Sequence, residues 1–256
     1  KAEWLPKIAS GEVRFAIAAM EHIGARSGAG ISDNEGSLSG KSLMAMECEG
    51  ATHMLIADTN GSLHIVDANS NGASNKAMPT IDKTRGFSEL VLDNVQAIRL
   101  SGENDAGKAA DAMIRVGRIL LAGDTLGAAQ RMIEKAVEYA ADRKQFGRNI
   151  ATFQAVKHMC AEMAAKQEPA RALIWHAAHA MDTDDAEAGV MANLAKAHLA
   201  DTSTFIARTS TEVHGGMGFT DLVGLHYWFK RIGLNRQLLG SPEKTRDDAA
   251  TLQGWA

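Results

Sequence analysis

A chain of 256 residues, 45% of them hydrophobic, is long enough for two modest domains with cores of their own. Its 27 Lys and Arg are interspersed with 31 Asp and Glu and leave a net charge of −4, which excludes the concentrated basic footprint of a nucleic-acid binder. No apolar run approaches the roughly 18 residues of a membrane span and no signal peptide opens the chain; Cys48 and Cys160 stand far apart without metal-ligand spacing, so free thiols in a reducing, cytoplasmic setting are expected.

In chain order, the opening Trp4–Gly11 stretch reads like the middle of a longer sequence. From Gly11 to about Leu100, short apolar or alternating runs (Val13–Met20, Met54–Ala57, Leu63–Val66, Leu90–Ile98) are separated by Gly, Asn, Asp and Ser, the rhythm of a small antiparallel β domain. The glycine-rich stretch Gly24–Gly36 within it predicts a mobile or shortened loop. From Ala106 the period becomes helical, with Met113, Val116, Ile119, Leu120, Gly123 and Gly127 recurring at three and four. Four long helices are expected, over 106–140, 151–181, 185–213 and 221–239. Gly147 and the Asp182–Asp185 run mark breaks, the latter offering an N-cap to the third helix.

Two segments carry candidate chemistry. Arg143-Lys-Gln-Phe-Gly147 follows a long helix, where a guanidinium and free backbone N–H groups suit a pyrophosphate, although the same cations also suit a solvated helix end. Gly215-Gly-Met-Gly218 lets a planar or phosphate group approach the backbone, since glycine has no Cβ, and equally suits a helix C-cap and turn. His176 and His179 have the spacing of a metal pair, but no Cys or carboxylate follows at ligand distance and Trp175 beside them points to packing; no metal site is expected. The chain has no Gly-X-Ser-X-Gly elbow and no Walker or dinucleotide loop after a strand, which sets those classes aside.

Taken together, Asp142–Gly147, Gln154, Glu212-Val-His-Gly-Gly-Met-Gly-Phe219 and Leu239-Gly-Ser241 resemble the C-terminal helical domain of the acyl-CoA dehydrogenase family, whose members remove two hydrogens from an acyl-CoA with FAD. The likeness extends into the β region through its layout and the Thr84–Val95 stretch. It implies an α+β fold: an antiparallel β domain over 1–104 followed by a C-terminal four-helix bundle over 105–256, with the family's N-terminal helical domain absent or truncated. It also implies that Arg143, Phe146 and Gln154 grip the ADP part of an FAD held by a neighbouring subunit. Glu212, Gly215, Gly216 and Gly218 would line its adenine side, with Glu212 standing where the family has Gln.

The departures from the family pattern are as informative. The Glu-Gly-Thr triplet whose carboxylate takes the substrate α-proton reads Leu239-Gly-Ser241 here, and leucine accepts no proton. Some relatives place that base one helix earlier, in Leu-Glu-Arg, where this chain has Val116-Gly-Arg118. No catalytic base is therefore expected at Leu239 or Gly117. The flavin-contacting strand Lys-X-Trp-Ile-Thr reads Lys41-Ser-Leu-Met-Ala45, and the loop before it, Met20–Ser27, keeps Glu21. The resemblance thus implies the non-catalytic partner in a heteromeric α2β2 acyl-CoA dehydrogenase, similar to the actinobacterial enzymes acting on steroid side-chain CoA thioesters. Its expected partners are a catalytic sister chain, an acyl-CoA and an electron-transfer flavoprotein. Two alternatives stay open: a self-sufficient enzyme with a displaced base, Glu243 or Glu21, and a flavin-free scaffold.

Overall fold

The computed structural model describes residues 1–24, 27–100, 102 and 107–255. It divides into two compact units, Lys1–Ile114 and Arg115–Ala256. The expected domain boundary at 104/105 and the expected helix start at 106 lie outside the described residues.

The first unit comprises α1 (Trp4–Ala9), β1 (Phe15–Ala18), α2 (Met20–Gly24), β2 (Gly30–Asn34), β3 (Ser37–Met46), β4 (His53–Ala57), β5 (Leu63–Asp67), β6 (Ala73–Met78), β7 (Phe87–Gln96) and β8 (Ile98–Arg99). The strands form one sheet in the order β6-β7-β3-β1-β4-β5-β8, with β2 paired to β3. Its pairs are antiparallel except one: β1 runs parallel to β4, Phe15 facing His53 and Ala18 facing Ile56. The sheet is therefore mixed, because β1 slots between β3 and β4 rather than joining a neighbour through a hairpin. Alternating residues supply the core, with Leu38, Ile56, Val66, Leu90 and Val95 at its centre.

The glycine-rich stretch expected as a loop holds β2. Asn34 pairs with Ser37 across Glu35 and Gly36, whose φ values of 51° and 88° are those of a two-residue hairpin turn that matches the twist of the strands. Gly40 explains the close packing of this hairpin: a Cβ there would lie 2.1 Å from the Gly30 carbonyl oxygen.

The second unit is helical. It contains most of α3 (Lys108–Asp142), a two-stranded hairpin of β9 (Lys144–Gln145) and β10 (Arg148–Asn149), then α4 (Gln154–Asp182), α5 (Ala188–His214), α6 (Leu225–Gln237) and α7 (Pro242–Leu252). Contacts fix the helix directions. Arg118 meets Asn193 and Met132 meets Ser210, so α3 and α5 run parallel. Met163 packs in one cluster with Met132, and Ala170 and Ile174 in another with Ile119 and Ala122, while Asn235 bonds Asp124 and Lys135 meets Trp228, so α4 and α6 run against them. The four expected helices thus form an up-down-up-down bundle. Small residues at the contacts, among them Ala129, Ala136, Ala170, Ala177, Ala192 and Ala195, let the helices approach closely around Met132, Met163, Ile206 and Ile232.

Two local expectations change. The third helix begins at Ala188, and its N-cap position, Glu187, makes no side-chain cap bond; Asp185 instead accepts from the Glu187 N–H before the helix starts. The polar run after Leu239 is a fifth helix, α7. Ser241 caps it by accepting from Lys244 N–H, Pro242 stands in its first turn, and Thr245 and Ala249 are buried.

Candidate functional site

The residues implied as cofactor contacts gather at one end of the bundle. Helix α3 runs out at Asp142 into the β9–β10 hairpin, where Gln145 pairs with Arg148 and Lys144 with Asn149. The turn residues Phe146 and Gly147 have φ values of 53° and 76°. That conformation suits glycine at the second position and is strained at the first, where a non-glycine residue in the left-handed region costs about 1–2 kcal/mol. The strained residue is an aromatic at 92% exposure. Its ring meets Phe153 edge-on at 6.1 Å, and the Arg148 guanidinium lies 4.0 Å over Phe153. Arg143 holds its backbone in place by donating to Tyr139 O at 2.9 Å and accepting from Ile150 N at 2.8 Å, and its guanidinium has no ion-pair partner among the described residues. Gln154 opens α4 and is exposed.

The same end receives the C-terminus of α5. Glu212 is exposed on its last turn, and a 3₁₀ turn, Gly215–Phe219, follows. The three glycines of that turn differ in what they require. Gly215 has φ 57°, ψ −138°, a conformation open to glycine and costly for other residues. Gly218 is buried against α5: a Cβ would lie 2.8 Å from Thr211 O and 3.1 Å from His214 Cβ. Gly216 has neither constraint, since a Cβ there meets nothing within 4 Å. With exposed cations, an exposed ring and bare backbone side by side, this end has the donor set and the flat access that a phosphate-bearing adenine nucleotide takes, so the residues present fit the AMP half of FAD.

Gly117 and Leu239 lie far from there, and they lie together. Gly117 and Asp142 share one unbroken helix and are about 37 Å apart at 1.5 Å per residue. Helix α6 returns the chain to the Gly117 level, where a Cβ on Gly117 would sit 2.5 Å from Leu239 Cδ1. Leu239 adopts φ 55° and Gly240 φ 105°, and Leu239 is 6% exposed. The side chain of one fills the space left by the other.

Buried cations hold this turn. Arg118 Nε donates to Leu239 O at 2.8 Å, its Nη2 pairs with Asp248 at 2.9 Å and its Nη1 donates to Asn193 Oδ1. Lys196, 2% exposed, donates through Nζ to Arg236 O and Gly240 O, each at 3.3 Å. Burial, with help from the Arg118 and Arg236 charges, lowers the Lys196 pKa to about 8. These two residues were not anticipated from sequence. A lone Arg or Lys inside an amphipathic helix looks like any solvated charge until the chain end folds over it.

Neither displaced-base candidate is poised as one. Glu21 Oε2 accepts from Ser42 Oγ at 2.8 Å and Oε1 from Leu43 N–H at 2.7 Å, which ties α2 to the Lys41–Ala45 segment of β3. Glu243 is exposed in the first turn of α7 and pairs with Arg236 at 3.0 Å. Its carboxyl is held below the ordinary range chiefly by its own backbone N–H, then by Ser241. Trp175 is 71% exposed, so the packing role expected for it beside His176 and His179 does not hold. Asp33, Asp58 and His64 come together in the first unit, their ligand atoms within 4.8 Å. Asp58 Oδ1 accepts from Asn60 and Ser62 N–H, Asp33 Oδ1 accepts from Gly36 N–H, and His64 Nε2 lies 3.0 Å from Asp58 Oδ2, a set of bonds that closes two turns.

The profile of the acyl-CoA dehydrogenase C-terminal domain matches residues 106–251. The chain belongs to the acyl-CoA dehydrogenase family. FAD is the cofactor of that family, whose chemistry is oxidoreduction at a CH–CH bond. Acyl-CoA dehydrogenase IpdE2 of Mycobacterium tuberculosis is 34% identical over 171 residues, covering 67% of this chain and 49% of the relative. The caffeyl-CoA reductase-Etf complex subunit CarC of Acetobacterium woodii is 35% identical over 135 residues, 52% of this chain and 35% of the relative. The chain thus spans between about a third and a half of these curated relatives. Among solved structures, a variant of the Tcur3481-Tcur3483 steroid ACAD superposes with a TM-score of 0.87 at 26% identity, over 99% of this chain and 70% of that one.

Proposed function

We propose that this chain is a subunit of an FAD-dependent acyl-CoA dehydrogenase that supplies no catalytic base and lends its cofactor contacts to a neighbouring subunit. The observation that carries this reading is the contact of Leu239 with Gly117. Both positions at which the family pattern places a carboxylate are apolar here, and each is shaped to the other. The gripping residues are displaced from them by most of the length of α3, so they belong to a different cofactor from one lying near Leu239.

In this reading Arg143 and the hairpin amides bind the phosphates, Phe146 reaches past the surface of its own bundle to the neighbour, and Gly215 and Gly216 give the adenine side unobstructed backbone. FAD, when bound, supplies the hydride acceptor for the substrate β-carbon. The α-proton goes to a carboxylate of a catalytic sister chain, in a heterotetramer. The likeness to a steroid ACAD supports a steroid side-chain CoA thioester as the substrate, and the likeness to a subunit of an Etf complex supports an electron-transfer flavoprotein as the electron acceptor.

The test is flavin content per chain, measured for this protein produced alone and together with a base-bearing acyl-CoA dehydrogenase chain as its sister. Flavin that appears on co-production, at about one per pair of chains, is the expected result. One flavin per chain in the protein alone would overturn the reading.

A further inference from the structure

The glycine segment and the hairpin are separated by some seventy residues in sequence, yet both must meet one nucleotide if the proposed function holds. What sets their relative height is α3. Tyr139 stacks on His214 with ring centroids 4.5 Å apart and planes at 26°. One turn earlier, Lys135 Nζ donates to Val223 O at 3.2 Å and lies 5.2 Å over the Trp228 ring. Tyr139 and Lys135 therefore hold the two ends of the 214–223 segment from adjacent turns of one helix. Four residues after Tyr139 the same helix delivers Arg143, whose N–H bonds Tyr139 O.

His214 completes the arrangement. Its Nδ1 lies 2.8 Å from Ser210 O; a carbonyl accepts, so Nδ1 carries the proton in the neutral ring. Burial pushes its pKa down, against the Ser210 carbonyl, and the Lys135 charge pushes the same way. A neutral ring keeps a flat, uncharged face for Tyr139, and His214 Cβ is one of the surfaces against which Gly218 closes.

We propose that Lys135, Tyr139 and His214 are positioning residues that register the Gly215–Gly218 backbone against the Arg143–Phe146 hairpin, so that both engage the AMP half of one FAD. The proposal rests on the cofactor-lending reading above. It makes a distinction that a general packing role does not. FMN has the flavin ring and one phosphate but no AMP, so disturbing the register weakens FAD and leaves FMN alone.

The experiment is flavin titration of the complex of this chain with its catalytic partner, using FAD and FMN as probes, for wild type, Tyr139→Leu, Tyr139→Phe and Lys135→Met. We expect Tyr139→Leu and Lys135→Met to weaken FAD by about three- to tenfold, with FMN unchanged, and Tyr139→Phe, which keeps the ring, to retain FAD. Should Tyr139→Leu fail to fold, Lys135→Met gives the same readout. Equal weakening of FAD and FMN, or none for FAD in Lys135→Met, overturns the proposal. A wild-type complex that binds FAD no better than FMN instead overturns the cofactor-lending reading itself.

Discussion

The two ends of the helical unit are built on opposite principles. At the hairpin end a phenylalanine is held in a left-handed conformation with its ring in solvent, the Arg143 guanidinium has no ion pair among the described residues, and a Cβ on Gly216 would meet nothing within 4 Å. The Leu239 end carries a left-handed residue too, but buries it. A leucine fills the gap above a glycine, and two buried cations bind main-chain carbonyls. Both ends hold a non-glycine residue in the left-handed region, so exposure, not strain, is what separates them: Phe146 is 92% exposed and Leu239 6%.

The sharpest way to break this contrast is Arg118→Met. Its guanidinium joins α3, α5, the Leu239 turn and α7 through buried bonds, and removing one partner of such a network strands the others. A loss of about 3–5 kcal/mol is expected in urea denaturation; a loss under about 1 kcal/mol would mean that the Leu239 end is not held this way.

Next in size is a pH effect at Lys196. Its folded pKa, about 8, lies below its ordinary 10.5, so between these values the unfolded chain binds the extra proton and stability rises with pH. Below about pH 8 both states are protonated and the cost of burying the charge is present in full, on the order of 3 kcal/mol at 1.36 kcal/mol per pKa unit. Lys196→Met should flatten the wild-type rise between pH 8 and 10. An identical slope in both proteins would show that Lys196 is not its source.

The glycine turn provides an internal comparison. Gly218→Ala drives a Cβ into Thr211 O and should cost about 1–3 kcal/mol, whereas Gly216→Ala should leave stability within about 0.5 kcal/mol while lowering flavin retention by the co-produced complex. If the two variants melt alike, the division into a packing glycine and an access glycine is wrong. The smallest effect is expected at the hairpin tip. Phe146→Gly removes left-handed strain and no buried surface, so the chain should be unchanged or more stable by up to about 1 kcal/mol; a clear destabilisation would show that the ring serves its own chain.

The outline of the fold was legible from pattern. A switch from alternating runs to three-and-four periodicity located the β region and four helices, since burial of one face imposes those periods. The elements that were not legible are those whose sequence carries no such period. The β2–β3 hairpin rests on a Glu-Gly turn and two close-packed glycines, and α7 is polar on most of its surface, its identity lying in the Ser241 cap and Pro242. The parallel β1–β4 pair depends on which strands become neighbours, which local pattern does not encode.

For the candidate site, sequence by itself determined the inventory: the cations and aromatic of 143–148, the glycines of 215–218, and the absence of a carboxylate at 117 and 239. Those are properties of residue type, and chemistry follows type. Only the tertiary structure decided the grouping. It placed the inventory at one end of a long helix and brought Gly117 and Leu239 into contact at another level. It also turned Arg118 and Lys196 from apparent surface charges into buried anchors, because burial and proximity arise from packing between segments 40 to 130 residues apart.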